Sequence, residues 1–160
     1  LGCGAILREA IAAANILEQD FGVSSDIWSA TSFSELRRDG VDCARWNRLN
    51  PEKQPRIPWV TDCLRDRQGP VVAASDYVRG FADQIRGFVP QEDYVVLGTD
   101  GFGRSDTREE LRRFFEVDRY QIAYAALYAL YREERFSLGE LTAAREALGI
   151  DADKPNPVSV

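Results

Sequence analysis

Apolar positions along the chain change their period several times, and the changes mark out its elements. Ile6, Ala10, Ala13, Leu17 and Phe21 recur at helical spacing through residues 5–21, and Gly22 follows as a C-terminal stop. Asp26-Ile-Trp-Ser-Ala-Thr31 then reads as a short strand, so the opening is strand, helix, strand, with Leu1–Gly4 as the end of the first strand. Ser32 or Ser34 caps a helix through Arg38 that Gly40 ends, and Val41–Leu49 forms another. Pro51, Pro55 and Pro58 interrupt the chain before a helix over residues 58–66.

The run Val71-Val-Ala-Ala-Ser75 is continuously apolar, as strands buried on both faces are. An amphipathic helix over 77–89 stops at Pro90, and Tyr94-Val-Val-Leu97 is the next strand. Helices at about 106–115, 118–134 and 137–148 complete the pattern, followed by a polar tail with two prolines expected to be extended. Strands alternating with helices predict an α/β fold of three layers, a mainly parallel sheet flanked by helices. The boundaries are one domain over residues 1–150, its first strand truncated, and a C-terminal tail over 151–160.

Charge and composition narrow the function. Lys and Arg number 20 against 26 Asp and Glu, a formal charge of −6 with the signs mixed along the chain, which disfavours a nucleic-acid partner. No apolar run approaches the roughly 20 residues that span a bilayer, so no membrane role is expected. Cys3, Cys43 and Cys63 are odd in number and widely spaced, which suits free thiols in a reducing cytoplasm better than disulfides or zinc. With no histidine, Ser-His-Asp and Cys-His catalysis and histidine metal ligation are excluded. With no methionine and an opening that reads as a strand already under way, the chain is expected to be a piece of a longer protein.

The stretch Leu97-Gly-Thr-Asp-Gly-Phe-Gly-Arg-Ser-Asp106 lies between a strand and a helix, where phosphates often bind. Gly101 and Gly103 match a dinucleotide fingerprint, but Asp106 stands in the third glycine position and would repel an anion. No Gly-Lys-Ser/Thr follows, so the stretch is not a P-loop, and Thr99 interrupts the Gly-Asp-Gly of a thiamin diphosphate fingerprint. What remains is a glycine turn and a helix capped by Ser105, Asp106 or Thr107, with Glu109 or Glu110 as box partner. Arg104 on this loop is a candidate for a contact with another domain or chain, together with Asp100 and Phe102.

Tyr120, Tyr124, Tyr128 and Tyr131 share one face of their helix, while Ile122, Ala126 and Leu130 line another, so core or subunit interface is expected for both. Trp46, with Arg45, Arg48 and Arg56, belongs to an excursion from the compact unit that is either an interface or a solvated ornament. No pair of carboxylates stands out as a general acid or base, and no residue is nominated as catalytic, cofactor-binding or metal-binding.

A family resemblance rests on Gly2-Cys-Gly-Ala-Ile-Leu-Arg8, Asp26–Gly40, Arg45-Trp-Asn-Arg-Leu49, Ala74-Ser-Asp-Tyr77, Leu97–Asp106, Phe115-Glu-Val-Asp118 and Ile150–Pro157. These residues resemble the C-terminal domain of the homodimeric bacterial pyruvate dehydrogenase decarboxylating component. Transketolases share the fold and an Asp-x-Phe-Gly turn but lack the tryptophan-containing block matched by Ser32–Cys63. The resemblance implies a cytoplasmic enzyme that decarboxylates pyruvate and reductively acetylates a lipoyl group. It implies thiamin diphosphate and magnesium in the parent enzyme, held outside these residues, and none bound by the chain itself. It also implies a homodimer, a dihydrolipoyl acetyltransferase as partner, and a structural, dimer-stabilising role for this domain. The rival readings are a free-standing nucleotide-binding α/β module and the third domain of a transketolase.

Overall fold

The computed structural model describes residues 1–160. In chain order the elements are α1 (Leu7–Phe21), α2 (Phe33–Leu49), α3 (Trp59–Leu64), β1 (Val71–Ala74), α4 (Arg79–Asp83), β2 (Tyr94–Leu97), α5 (Arg108–Phe114), α6 (Arg119–Arg132) and α7 (Leu138–Ala147). Turns of 3-10 helix occupy Gly4–Ile6, Arg86–Phe88 and Pro157–Ser159.

β1 and β2 pair in parallel, with Val71 opposite Tyr94 and Ala74 opposite Leu97. Two further segments extend this sheet as single parallel bridges, Gly2 to Ala74 on one side and Gly2 to Ser29 on the other. The Ala74 amide donates to Leu1 O and the Cys3 amide to Ala74 O, at 2.9 and 3.1 Å. Gly2 N donates to Trp28 O and Ala30 N to Gly2 O, each at 2.9 Å. The lateral order is therefore Trp28–Ala30, Leu1–Cys3, β1, β2. Four strand segments stand where four strands were expected, but the first two are reduced to bridges, each pairing through a single residue, Gly2 or Ser29.

Each face of the sheet carries its own core. Ile6, Ala13, Leu17, Ala74, Ile122, Ala123, Leu127 and Leu141 cluster under α1, α6 and α7. Cys3, Ala30, Phe33, Val60, Ala73, Ala82, Ile85 and Tyr94 cluster under α2, α3 and α4. This is the three-layer α/β arrangement that the alternation implied. Leu127 is fully buried, so truncating it to alanine would cost about 2–5 kcal/mol.

Two helices and the C-terminal tail depart from expectation. Residues 32–49 form one helix rather than two, because Gly40 is a packing position and not a stop. A Cβ there would lie 2.4 Å from the Phe88 ring, so only glycine lets α2 approach this closely. The helix expected over 77–89 breaks into α4 and the Arg86–Phe88 turn, with Ile85 fully buried at the break. The tail over 151–160 also folds back. Lys154 Nζ donates to Arg113 O and Phe114 O at 3.0 and 2.7 Å, capping the end of α5, and Pro157 is buried.

The cap expected at Ser32 forms, its hydroxyl accepting from Glu35 N at 3.2 Å, and two caps that were not anticipated hold α6 and α7. The Asp118 carboxylate accepts from Gln121 N at 2.8 Å, and Ser137 and Glu140 form a reciprocal capping box. Gly22 closes α1 in the left-handed conformation. No helix is long and apolar enough to cross a membrane.

Candidate functional site

The glycine-rich loop leaves β2 at the carboxyl end of the sheet, and its first half is fastened to the chain leaving β1. Thr99 N donates to Tyr77 O at 2.9 Å and Thr99 Oγ1 to Asp76 O at 2.8 Å. The Asp100 carboxylate accepts from Arg79 N at 2.8 Å and lies 3.6 Å from Arg79 Nε. Asp100 thus engages its own chain at the start of α4. Gly101 follows with φ of 106°, closed to side chains, and a Cβ there would meet Pro157 O at 3.0 Å. The C-terminal turn therefore lies directly against the loop.

The second half of the loop faces outward. Phe102 is 86% exposed, the most exposed large apolar side chain in the molecule. Arg104 lays its guanidinium 4.1 Å above the Phe114 ring and has no carboxylate partner. Thr107 is the cap of α5, its hydroxyl accepting from Glu110 N at 3.3 Å, while Asp106 accepts from Thr107 N at 2.7 Å. Beside the loop is a cavity of about 480 Å³, with Asp76, Arg104, Arg108 and Arg112 in its wall. A second cavity of about 510 Å³ lies between Leu17, Trp28, Val71 and Leu130.

Trp46 serves its own neighbourhood. Arg56 stacks on its indole at 4.4 Å, and Asn47 grips the Arg56 backbone, donating to its carbonyl at 2.9 Å and accepting from its amide at 2.7 Å. The proline-rich excursion is thereby folded back onto α2. Along α6, Ile122, Ala123, Leu127 and Leu130 are buried, while Tyr120 and Tyr128 are about half exposed at 47% and 45%. The tyrosine face is divided: Tyr124 and Tyr131 are partly buried against the core, Tyr120 and Tyr128 are open, and the aliphatic face meets the sheet.

The most elaborate polar constellation was not legible in the sequence. Glu9 is buried on α1 and accepts from Arg112 Nη1 at 2.9 Å and from Arg119 Nε, Nη2 and N at 3.0, 3.2 and 3.2 Å. Burial raises its carboxyl pKa, but the Arg119 hydrogen bonds and the charges of both arginines outweigh burial, leaving it below the ordinary value. A glutamate at an otherwise apolar helix position is the one local signal that could have pointed to it. Its partners lie more than 100 residues away.

The remaining perturbed groups are structural. Burial raises Asp118 at its cap and raises Tyr94, whose hydroxyl donates to Ala82 O at 2.7 Å. Burial, followed by the charge of Asp76, raises the Cys3 thiol, which opposes the thiolate a nucleophile needs. No group of three Cys, Asp or Glu side chains is placed to hold a metal ion.

Residues 1–118 match the family model described as the transketolase-like TK C-terminal domain. The whole chain is 54% identical, over 160 residues, to a protein from Cupriavidus necator named pyruvate dehydrogenase E1 component. Proteins of the same name from Pseudomonas aeruginosa and Escherichia coli K12 are 51% identical over 158 residues and 50% identical over 157, or 99% and 98% of this chain. The chain spans 18% of the length of each of these relatives. The parallel sheet between two helical layers and the match through the glycine-rich loop agree, and the chain belongs to the transketolase-like C-terminal domain family.

Proposed function

We propose that this chain is the C-terminal domain of a pyruvate dehydrogenase E1 component, with an architectural rather than a catalytic part in it. The observation that carries this reading is the 54% identity, running through the entire chain including the Ser32–Cys63 block, to a relative of that name. In this reading the longer protein decarboxylates pyruvate and reductively acetylates the lipoyl group of a dihydrolipoyl acetyltransferase. It works in the cytoplasm as a homodimer.

Thiamin diphosphate and magnesium belong to that parent enzyme. The residues here do not fit them: no carboxylate group can hold the metal, and Asp100, the acid of the Gly98–Gly101 turn, is bound to Arg79. No step of the reaction is therefore assigned to this chain. Its share is to hold neighbouring domains and the second copy in place, and Phe102 and Arg104 on the loop are its proposed contact residues. Their exposure supports that role. Asp100 acts behind them by pinning the loop to α4. Trp46 sets the shape of the excursion that would meet a neighbour.

The test is calorimetry and turnover on the 160-residue chain with thiamin diphosphate, magnesium and pyruvate. Neither heat of cofactor binding nor carbon dioxide release is expected. Pyruvate turnover by the isolated chain would overturn the architectural reading.

A further inference from the structure

The lateral order of the sheet has a topological switch point between Leu1–Cys3 and β1. The chain leaves Leu1–Cys3 into α1 on one face, while the connection out of β1 runs into α4 on the other. In open parallel sheets this parting opens a crevice beyond the carboxyl ends of the strands, where ligands bind. The cavity of about 480 Å³ lies there, with Ala5, which follows the first segment, and Asp76, which follows β1, both in its wall. Its volume falls within the range of about 300–1,000 Å³ common for small-molecule sites.

Three arginines, Arg104, Arg108 and Arg112, line the crevice with one acid, Asp76. This is a cationic pocket on a chain whose net charge is −6. Arg112 is fixed by Glu9 at 2.9 Å. Arg104 and Arg108 form no ion pair within the chain, and Arg104 is held in place only by its stack on Phe114. The acid that made the loop look hostile to anions, Asp106, is turned to the Thr107 amide and does not line the crevice.

We propose that this switch-point crevice binds a small metabolite through an oxyanion group, a phosphate or a carboxylate, held by Arg104 and Arg108 against the fixed wall of Arg112. Guanidinium groups present paired N–H donors that match both kinds of oxyanion. Asp76 opposes the ligand's charge and sets a limit on its affinity.

The experiment is equilibrium dialysis of radiolabelled inorganic phosphate against the full-length enzyme, saturated beforehand with thiamin diphosphate and magnesium so that its diphosphate site is filled. One saturable phosphate per chain is expected, weakened at least about tenfold in the R104Q/R108Q double variant and tightened in D76N. Both arginines are exposed, so the double variant keeps the fold. R108Q alone, at a residue outside the proposed contact of Phe102 and Arg104, should also weaken phosphate binding, and unchanged binding in R108Q overturns the proposal. Displacement of phosphate by citrate extends the ligand class to carboxylates, and failure to displace narrows it to phosphates; either result keeps the site. Phosphate binding that is absent, or equal in wild type and R104Q/R108Q, overturns the proposal.

Discussion

Glu9 and Arg119, 110 positions apart, are joined by three hydrogen bonds, two from the guanidinium and one from the backbone amide. The amide belongs to the first turn of α6, so the carboxylate ties the first turn of α1 to the start of α6. Arg112 adds a fourth bond from α5. One buried acid therefore positions three helices around the base of the arginine-lined crevice.

Glu9→Ala should destabilise the fold by about 2–3 kcal/mol, because it leaves Arg112 and the Arg119 amide without their partner. Urea unfolding followed by far-UV circular dichroism measures this. Glu9→Gln, which keeps the shape and loses the charge, should recover part of the loss.

The pH dependence has a definite sign. The folded pKa of Glu9 lies below its ordinary value of 4.5, so near pH 4.5 the unfolded chain binds more protons than the folded one. Its contribution is fully present above pH 4.5 and is lost as pH falls through the folded pKa. Stability against urea, measured between pH 6 and about pH 3, should therefore fall less steeply in Glu9→Gln than in wild type.

Gly40→Ala sets two effects against each other. Helix propensity favours alanine by about 1 kcal/mol. The added Cβ would lie 2.4–2.6 Å from three atoms of the Phe88 ring, including its root, and overpacking costs about 1–3 kcal/mol. We expect a net loss of about 1 kcal/mol. Pairing it with Phe88→Ala should show a favourable coupling in a double-mutant cycle, since the clash disappears with the ring.

Lys154→Met should release the C-terminal turn. Its ammonium bonds Arg113 O, Phe114 O and the Glu116 carboxylate, the last at 3.2 Å. Partial exposure limits the cost to about 1 kcal/mol. The sharper readout is hydrogen exchange: the Ser159 amide, which donates to Asn156 O at 2.9 Å, should lose protection while α6 keeps its own.

Phe102→Ser separates folding from association. With 86% of its surface exposed, its replacement should change the stability of this domain by less than about 0.5 kcal/mol. In the full-length protein it should weaken dimerisation at least about tenfold by sedimentation equilibrium. Unchanged dimerisation would remove Phe102 from the proposed contact.

Local signals carried much of the fold. Hydrophobic period located α1, α5, α6 and α7, and the caps expected before α2 and α5 formed at Ser32 and Thr107. Such features depend on bonds within one turn of helix, so the sequence neighbourhood contains both partners. Gly40 shows the limit. A glycine at a helix end and a glycine under a ring look alike in sequence, and only Phe88, 48 residues on, distinguishes them. The loop followed the same division: its glycine turn and cap were legible, but the direction of the Asp106 carboxylate was not.

The sequence alone determined the alternation of strands and helices, the absence of histidine chemistry and the family to which the residues belong, because these depend on residue identity and short-range spacing. Tertiary structure decided the rest. It placed Gly2 between two neighbouring segments, put Glu9 beneath Arg112 and Arg119, laid Pro157 against Gly101 and brought three arginines to one crevice. Those relations arise where hydrophobic burial of two sheet faces brings distant segments together, and no local pattern encodes which side chains then meet.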